Sequence, residues 1–102
     1  MGFDGFNWDQ HNRGKCQKHG VLLAEIEALF TREIMIKPDL AHAAAEERFN
    51  AIGKTDAGRF VFLVFTFRVI DGAKLLRPIS ARFMHLKEVR HYEDAAKSPE
   101  RR

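Results

Sequence analysis

Arg59-Phe-Val-Phe-Leu-Val-Phe-Thr-Phe-Arg-Val-Ile70, then Asp71-Gly72, then Lys74–Phe83, is the stretch whose reading decides the fold. Its first segment reads as one long strand. Through Phe65 both alternating sets are apolar: Phe60, Phe62 and Val64 in one, Val61, Leu63 and Phe65 in the other. A strand with one wet face alternates apolar and polar residues, so this pattern predicts a central strand covered on both faces, by its own helices or by a partner. Burying each such side chain contributes roughly 1.5–3 kcal/mol, which makes a fully wet second face costly. Asp71-Gly72 suits a type I′ hairpin turn, because glycine adopts positive φ cheaply and aspartate tolerates it. In the returning strand Ile79, Ala81 and Phe83 share one parity, and Ser80 and Arg82 the other. Pro78 lacks a backbone donor, which predicts an edge position or a bulge near Leu76–Pro78.

On the N-terminal side, Phe3–Trp8 reads as a short first strand in which Phe6 and Trp8 share parity. Asp9 is placed to cap a helix from Gln10 to about Lys18, and Gly20 to end it. Val21–Phe30 reads as a second helix whose apolar stripe is Leu22, Leu23, Ile26, Leu29 and Phe30. Ile34, Met35 and Ile36 suggest a brief extended piece before Pro38-Asp39. Asp39–Phe49 reads two ways: as an alanine-rich helix capped by Asp39, or as a lead into a strand through Phe49, Ala51 and Ile52 that ends at Gly53. Beyond the hairpin, His85 to about Ala96 reads as a final helix with Val89, Tyr92 and Ala96 as its stripe and Leu86 beside it, stopped by Ser98-Pro99. The expected architecture is a single α+β domain over residues 1–97, with 98–102 as a frayed tail.

Size and composition agree. A chain of 102 residues, 45% hydrophobic, builds one modest core. No apolar run is long enough to span a membrane, and Met1–Trp8 lacks the regions of a signal peptide, so the expected location is cytoplasmic, with no membrane partner. Cys16 is the single cysteine and reads as a small core thiol. Seventeen basic and fourteen acidic residues give a formal charge of +3, compatible with a nucleic-acid partner without requiring one.

The chain carries no phosphate-binding glycine loop and no HExxH. Its histidines, at 11, 19, 42, 85 and 91, have no standard ligand spacing, so no metal or other cofactor is expected. The constellation that can do chemistry is Lys18, His19, Arg48, Arg68, Arg77, Arg82 and Glu88. A phosphodiester needs cations for its non-bridging oxygens, and cleavage of RNA needs a proton removed from the 2′-hydroxyl and charge stabilised on the leaving oxygen. Histidine or glutamate moves protons, while arginine holds phosphate bidentately. Each residue also has a structural reading. His19 can close a helix, Arg82 can pair with a carboxylate on the final helix, and Arg48 can pair locally. Arg68 can be a solvated strand end, Arg77 an ordinary surface residue, and Glu88 part of an Arg–Glu network.

Several segments, in this order, resemble the BrnT family of type II toxins: Phe6-Asn-Trp-Asp9, Lys15-Cys-Gln-Lys-His-Gly-Val21, Glu47-Arg-Phe49 with Ala51-Ile-Gly53, Val64-Phe-Thr66, Arg77-Pro-Ile-Ser-Ala-Arg82, and Lys87-Glu88 with Tyr92. The resemblance covers roughly residues 3–93. It implies a RelE-like fold with a short strand, two helices, a three-stranded antiparallel core and a C-terminal helix. It favours strand over Glu47–Ile52, with the alanine-rich segment before it mostly loop. It also implies a metal-independent endoribonuclease that arrests translation, an inhibitory BrnA-like antitoxin, and operator DNA bound indirectly through the antitoxin complex. Arg77 and Arg82 are then expected to stabilise phosphate or transition-state charge, with His19 in positioning or proton transfer. Lys18, Arg48 and Arg68 are expected to bind substrate, with Glu88 in an acid–base or structural role. The alternative is a domain that binds its antitoxin or nucleic acid without catalysis. Pro78 stands where the family usually carries a β-branched residue.

Overall fold

The computed structural model describes residues 2–40 and 46–97. Its elements run β1 (Gly5–Phe6), α1 (Gln10–Gln17), α2 (Leu23–Leu29), β2 (Met35–Pro38), β3 (Phe49–Lys54), β4 (Phe60–Ile70), β5 (Ala73–Phe83) and α3 (Leu86–Lys97). The strands form one mixed sheet in the order β1-β5-β4-β3-β2. β1 is parallel to β5 and every other pairing is antiparallel. The antiparallel core expected with three strands thus gains a fourth in β2, because Met35–Pro38 pairs with β3 from Phe49 to Ile52.

The doubly apolar strand is the middle strand, as its pattern predicts. The β4–β5 turn places Asp71 at φ 52° and Gly72 at φ 82°, the two positive values that a type I′ turn requires. One sheet face buries Ala51, Val61, Leu63, Phe65, Leu76 and Ala81 against Cys16, Val21, Ile26 and Leu29 from the helical layer. Around this core lies an aromatic layer. Phe65 stacks on Phe49 and meets Phe30 edge-on, while Phe3 and Phe6 pack edge-on against Phe30.

α1 is capped as expected. The Asp9 carboxylate accepts from Asn12 N–H at 2.9 Å, and the Asn12 side chain accepts from Asp9 N–H at 2.7 Å. Gly20, at φ 91°, follows the helix end. α2 begins at Leu23 rather than Val21. Leu22 becomes its N-cap, with its N–H donating to the Glu25 carboxylate, and its side chain is 58% exposed. The buried apolar contribution expected of Leu22 comes instead from Val21, just ahead of the cap.

Pro78 marks a bulge, the second of its two expected placements. Val64 faces Ser80 and Phe65 faces Pro78, which leaves Ile79 as an extra residue in β5. The shared parity of Ile79, Ala81 and Phe83 is therefore broken. Pro78 and Ala81 are both buried in the core, while Ile79 lines cavities on the other face. α1 packs along β5 at this point, and the Asn12 amide donates to Pro78 O at 2.8 Å and to Asn7 O at 3.0 Å.

Coverage of the second face is partial. α3 packs at its Phe60 end, with the Phe60 and Tyr92 rings 5.5 Å apart, while Phe62, Val64 and Ile52 stay half-buried beside open cavities. Full coverage from within the chain, one arm of the sequence expectation, is not met by the described residues. Strand over Glu47–Ile52 is met by β3, displaced two residues toward the C-terminus. The alanine-rich segment at 41–45, His42 with it, and the stop and tail at 98–102 lie outside the described residues.

Candidate functional site

The open face of the sheet collects the cations. Arg48 stands just ahead of β3, Arg68 near the end of β4 and Arg77 in β5. Together with His11, Lys15, Asn12 and Glu46 they line one cavity of about 200 Å³. The bulge makes this possible. In an unbroken strand Arg77 and Arg82, five residues apart, would point to opposite faces. The extra residue at Ile79 returns Arg77 to the face of Arg82, paired across from Thr66 while Arg82 pairs across from Phe62.

Arg77 is the best-held of these cations. Its side chain is 12% exposed, and its two terminal nitrogens donate at 2.9 Å to Asn7 Oδ1 and Asp9 Oδ2. Asp9 thus caps α1 and anchors Arg77 at once. The Asn12 backbone N–H foremost, then the Arg77 guanidinium, hold its carboxyl below the usual range against the opposing effect of desolvation. Arg68 and Arg48 share Glu46 at 3.7 and 4.0 Å, beyond hydrogen-bond range, so neither spends a short charge-assisted bond there. Arg48 Nε is buried without a hydrogen-bond partner among the described residues.

Lys15, Arg48 and Ile79 also border a second cavity of about 290 Å³, completed by Asp39, Asn50, Phe62, Val64 and Ser80. Phe62 in turn borders a larger apolar groove of about 810 Å³ under α3, with Met35, Ile52, Met84, His91 and Tyr92 among its walls. The three spaces therefore share walls across one sheet face, from the arginine cluster to α3.

Arg82 and Glu88 sit at the α3 end as an ion pair, with both contacts at 2.8 Å, and the Arg82 guanidinium lies 5.0 Å from the Phe62 ring centre. The structural reading of Arg82 and Glu88 is the one that the geometry shows. Lys18 and His19 are exposed after α1 and line neither of the cavities that hold the arginines. The site that sequence reasoning assembled is thus brought together at Arg48, Arg68 and Arg77, continued at Arg82 and Glu88, and not joined by Lys18 and His19. His11 and Lys15, outside the constellation read from the sequence, line the arginine cavity. Their i, i+4 spacing on a capped helix was the available signal, since it puts both side chains on one helical face.

Cys16 is fully buried, and desolvation pushes its thiol up to about 11. Among the described residues no group of three or more His, Cys, Asp or Glu side chains is placed to hold a metal ion. None of the described helices is long and apolar enough to cross a membrane.

The fold and this face define a small α+β protein with an arginine-lined groove on its sheet. The chain belongs to the BrnT family, the ribonuclease toxins of type II toxin–antitoxin systems, whose family model matches residues 8–88. It is therefore an RNA-cleaving enzyme and the toxin half of a toxin–antitoxin pair. No curated protein matches the chain.

Proposed function

We propose that RNA is cleaved on the open sheet face, with the scissile phosphate in the cavity lined by Arg48, Arg68 and Arg77. The convergence of these three arginines from separate parts of the sheet carries this reading. Asn7 and Asp9 pre-orient Arg77, so little ordering remains when its free N–H groups meet phosphate oxygens. The 2′-oxygen attacks phosphorus as its proton passes to a base, and the P–O5′ bond breaks. A 2′,3′-cyclic phosphate and a 5′-hydroxyl result once the leaving oxygen takes a proton. The arginines stabilise the extra negative charge of the transition state. His11, in the same cavity, takes the proton-transfer role in place of His19. Lys15 adds charge, Lys18 and His19 contact flanking backbone, and Arg82 contributes charge while holding α3 through Glu88.

Arg77→Ala is expected to lower cleavage of a mixed RNA substrate by about 100-fold, the usual loss for a transition-state donor. His11→Ala is expected to lower it with melting temperature unchanged. Wild-type cleavage rates in both variants would overturn this site assignment.

The counterpart protein is a BrnA-like antitoxin, and operator DNA is bound through the antitoxin complex. Family membership supports this pairing. Co-expression with the gene beside the toxin should yield a co-purifying complex that binds the operon's own promoter DNA. Promoter binding by the toxin alone, as tight as by the complex, would contradict it.

A further inference from the structure

We infer that the 290 Å³ cavity beside the arginine cluster holds one nucleobase of the RNA, and that Asn50 reads that base. The inference rests on the site assignment above, because the two cavities share Lys15, Arg48 and Ile79. A phosphate held by the arginines thereby has its neighbouring base at the mouth of this second space.

Three features of the cavity select a base. Its volume lies near the lower end of small-ligand pockets, which run roughly 300–1,000 Å³. Phe62, Val64 and Ile79 supply apolar walls for a flat heterocycle. Asn50 Oδ1 is buried and has no hydrogen-bond partner among the described residues. A buried acceptor left unpaired is costly, and a ligand bearing an N–H donor relieves that cost.

A second phosphate is the poorer occupant. The unpaired Asn50 acceptor oxygen repels a phosphate oxygen, which brings no donor to relieve it. RNA bases, in contrast, present N–H groups on their pairing edges, where unpaired RNA is normally read. Lys15 and Ser80 border the cavity and offer donors to the acceptors on such an edge. Asn50 pairs across β3–β4 with Val64, so its amide stands on a central part of the sheet rather than on a loop.

The test maps cleavage positions on an RNA pool randomised around its cleavable sites and reads the ratio between bases rather than the total rate. The wild-type protein should favour one base at one position beside the broken bond. Asn50→Leu should reduce that preference about tenfold, the loss of roughly one hydrogen bond. Asn50→Asp, which keeps the shape and changes the donor set, should shift the preferred base and serves if the leucine variant does not fold. A wild-type profile without base preference, or an unchanged profile in a folded Asn50 variant, overturns the inference. Arg77→Ala, run in parallel, separates the two readings. If it cleaves like wild type, the phosphate assignment itself fails. If it is inactive while Asn50 variants keep the wild-type profile, only the base pocket fails.

Discussion

Arg82 and Glu88 form a two-pronged ion pair that ties the end of β5 to the start of α3. Both terminal guanidinium nitrogens donate to the carboxylate at 2.8 Å, and Glu88 Oε1 also accepts from His85 N–H at 2.9 Å. Glu88 stands three residues after His85, the position from which a glutamate reaches back to cap its own helix. The Arg82 hydrogen bonds and the His85 N–H hold its carboxyl well below the ordinary 4.5, at about 2. A carboxylate so engaged is a weak proton acceptor near neutrality, which favours a structural role over general-base chemistry.

That depressed value sets a pH dependence. The folded state binds the Glu88 proton more weakly than the unfolded chain, so the stabilisation is fully present above about 4.5 and is lost as pH falls toward about 2. Thermal melts across this window should show wild type losing more stability than Glu88→Gln. Parallel curves for the two proteins would contradict the assignment.

Asn12 joins three segments from a buried position. Its amide donates to Asn7 O and Pro78 O, and its oxygen accepts from Asp9 N–H. Asn12→Leu leaves those groups without partners and should destabilise by about 2–4 kcal/mol in urea unfolding. RNA cleavage should fall as well, even where the variant stays folded, because α1 carries His11 and Lys15 toward β5. A loss below about 0.5 kcal/mol would mean that the helix is docked by its apolar contacts alone.

The hairpin turn separates backbone strain from packing. A Cβ added at Gly72 meets no atom within 4 Å, so Gly72→Ala tests φ preference without a clash. It should cost about 1 kcal/mol, and Asp71→Gly should be close to neutral. Chemical denaturation of both variants gives the comparison. No loss in Gly72→Ala would contradict the φ argument, and a loss in Asp71→Gly would show that Asp71's side chain also holds the turn.

Cys16 should be inert in the folded protein. A thiol raised to about 11 is almost wholly protonated at pH 8, and this one is inaccessible. Labelling by an aromatic disulfide reagent should therefore track unfolding, slow in buffer and fast in denaturant. Rapid labelling of the native protein would show that α1 opens locally.

Much of the scaffold was legible in the chain because its signals are local. Two positive-φ residues follow a twelve-residue strand pattern, and the doubly apolar alternation can sit only in the middle of a sheet. Asp9 announces α1 by the acceptor it offers to the first free N–H groups. The family match followed from short segments in order, which need no tertiary knowledge. The sequence thus determined the central strand, its hairpin, the capped first helix and the membership in a ribonuclease toxin family.

What tertiary structure alone decided is which charges face one another. Alternation across Pro78 assigns Arg77 and Arg82 to opposite faces, and only the bulge at Ile79, set by pairing with Val64 and Phe65, puts them on one. Arg48, Arg68 and Arg77 meet because β3, β4 and β5 are neighbours in the sheet, a long-range outcome of burying the apolar strand between them. His19 reads like His11 in composition, yet α1 ends before it, and it lines neither arginine cavity while His11 borders the arginines. Local propensity depends on a few adjacent residues, whereas a site depends on register between strands far apart in the chain. One inserted residue is enough to move a guanidinium from one face of a sheet to the other.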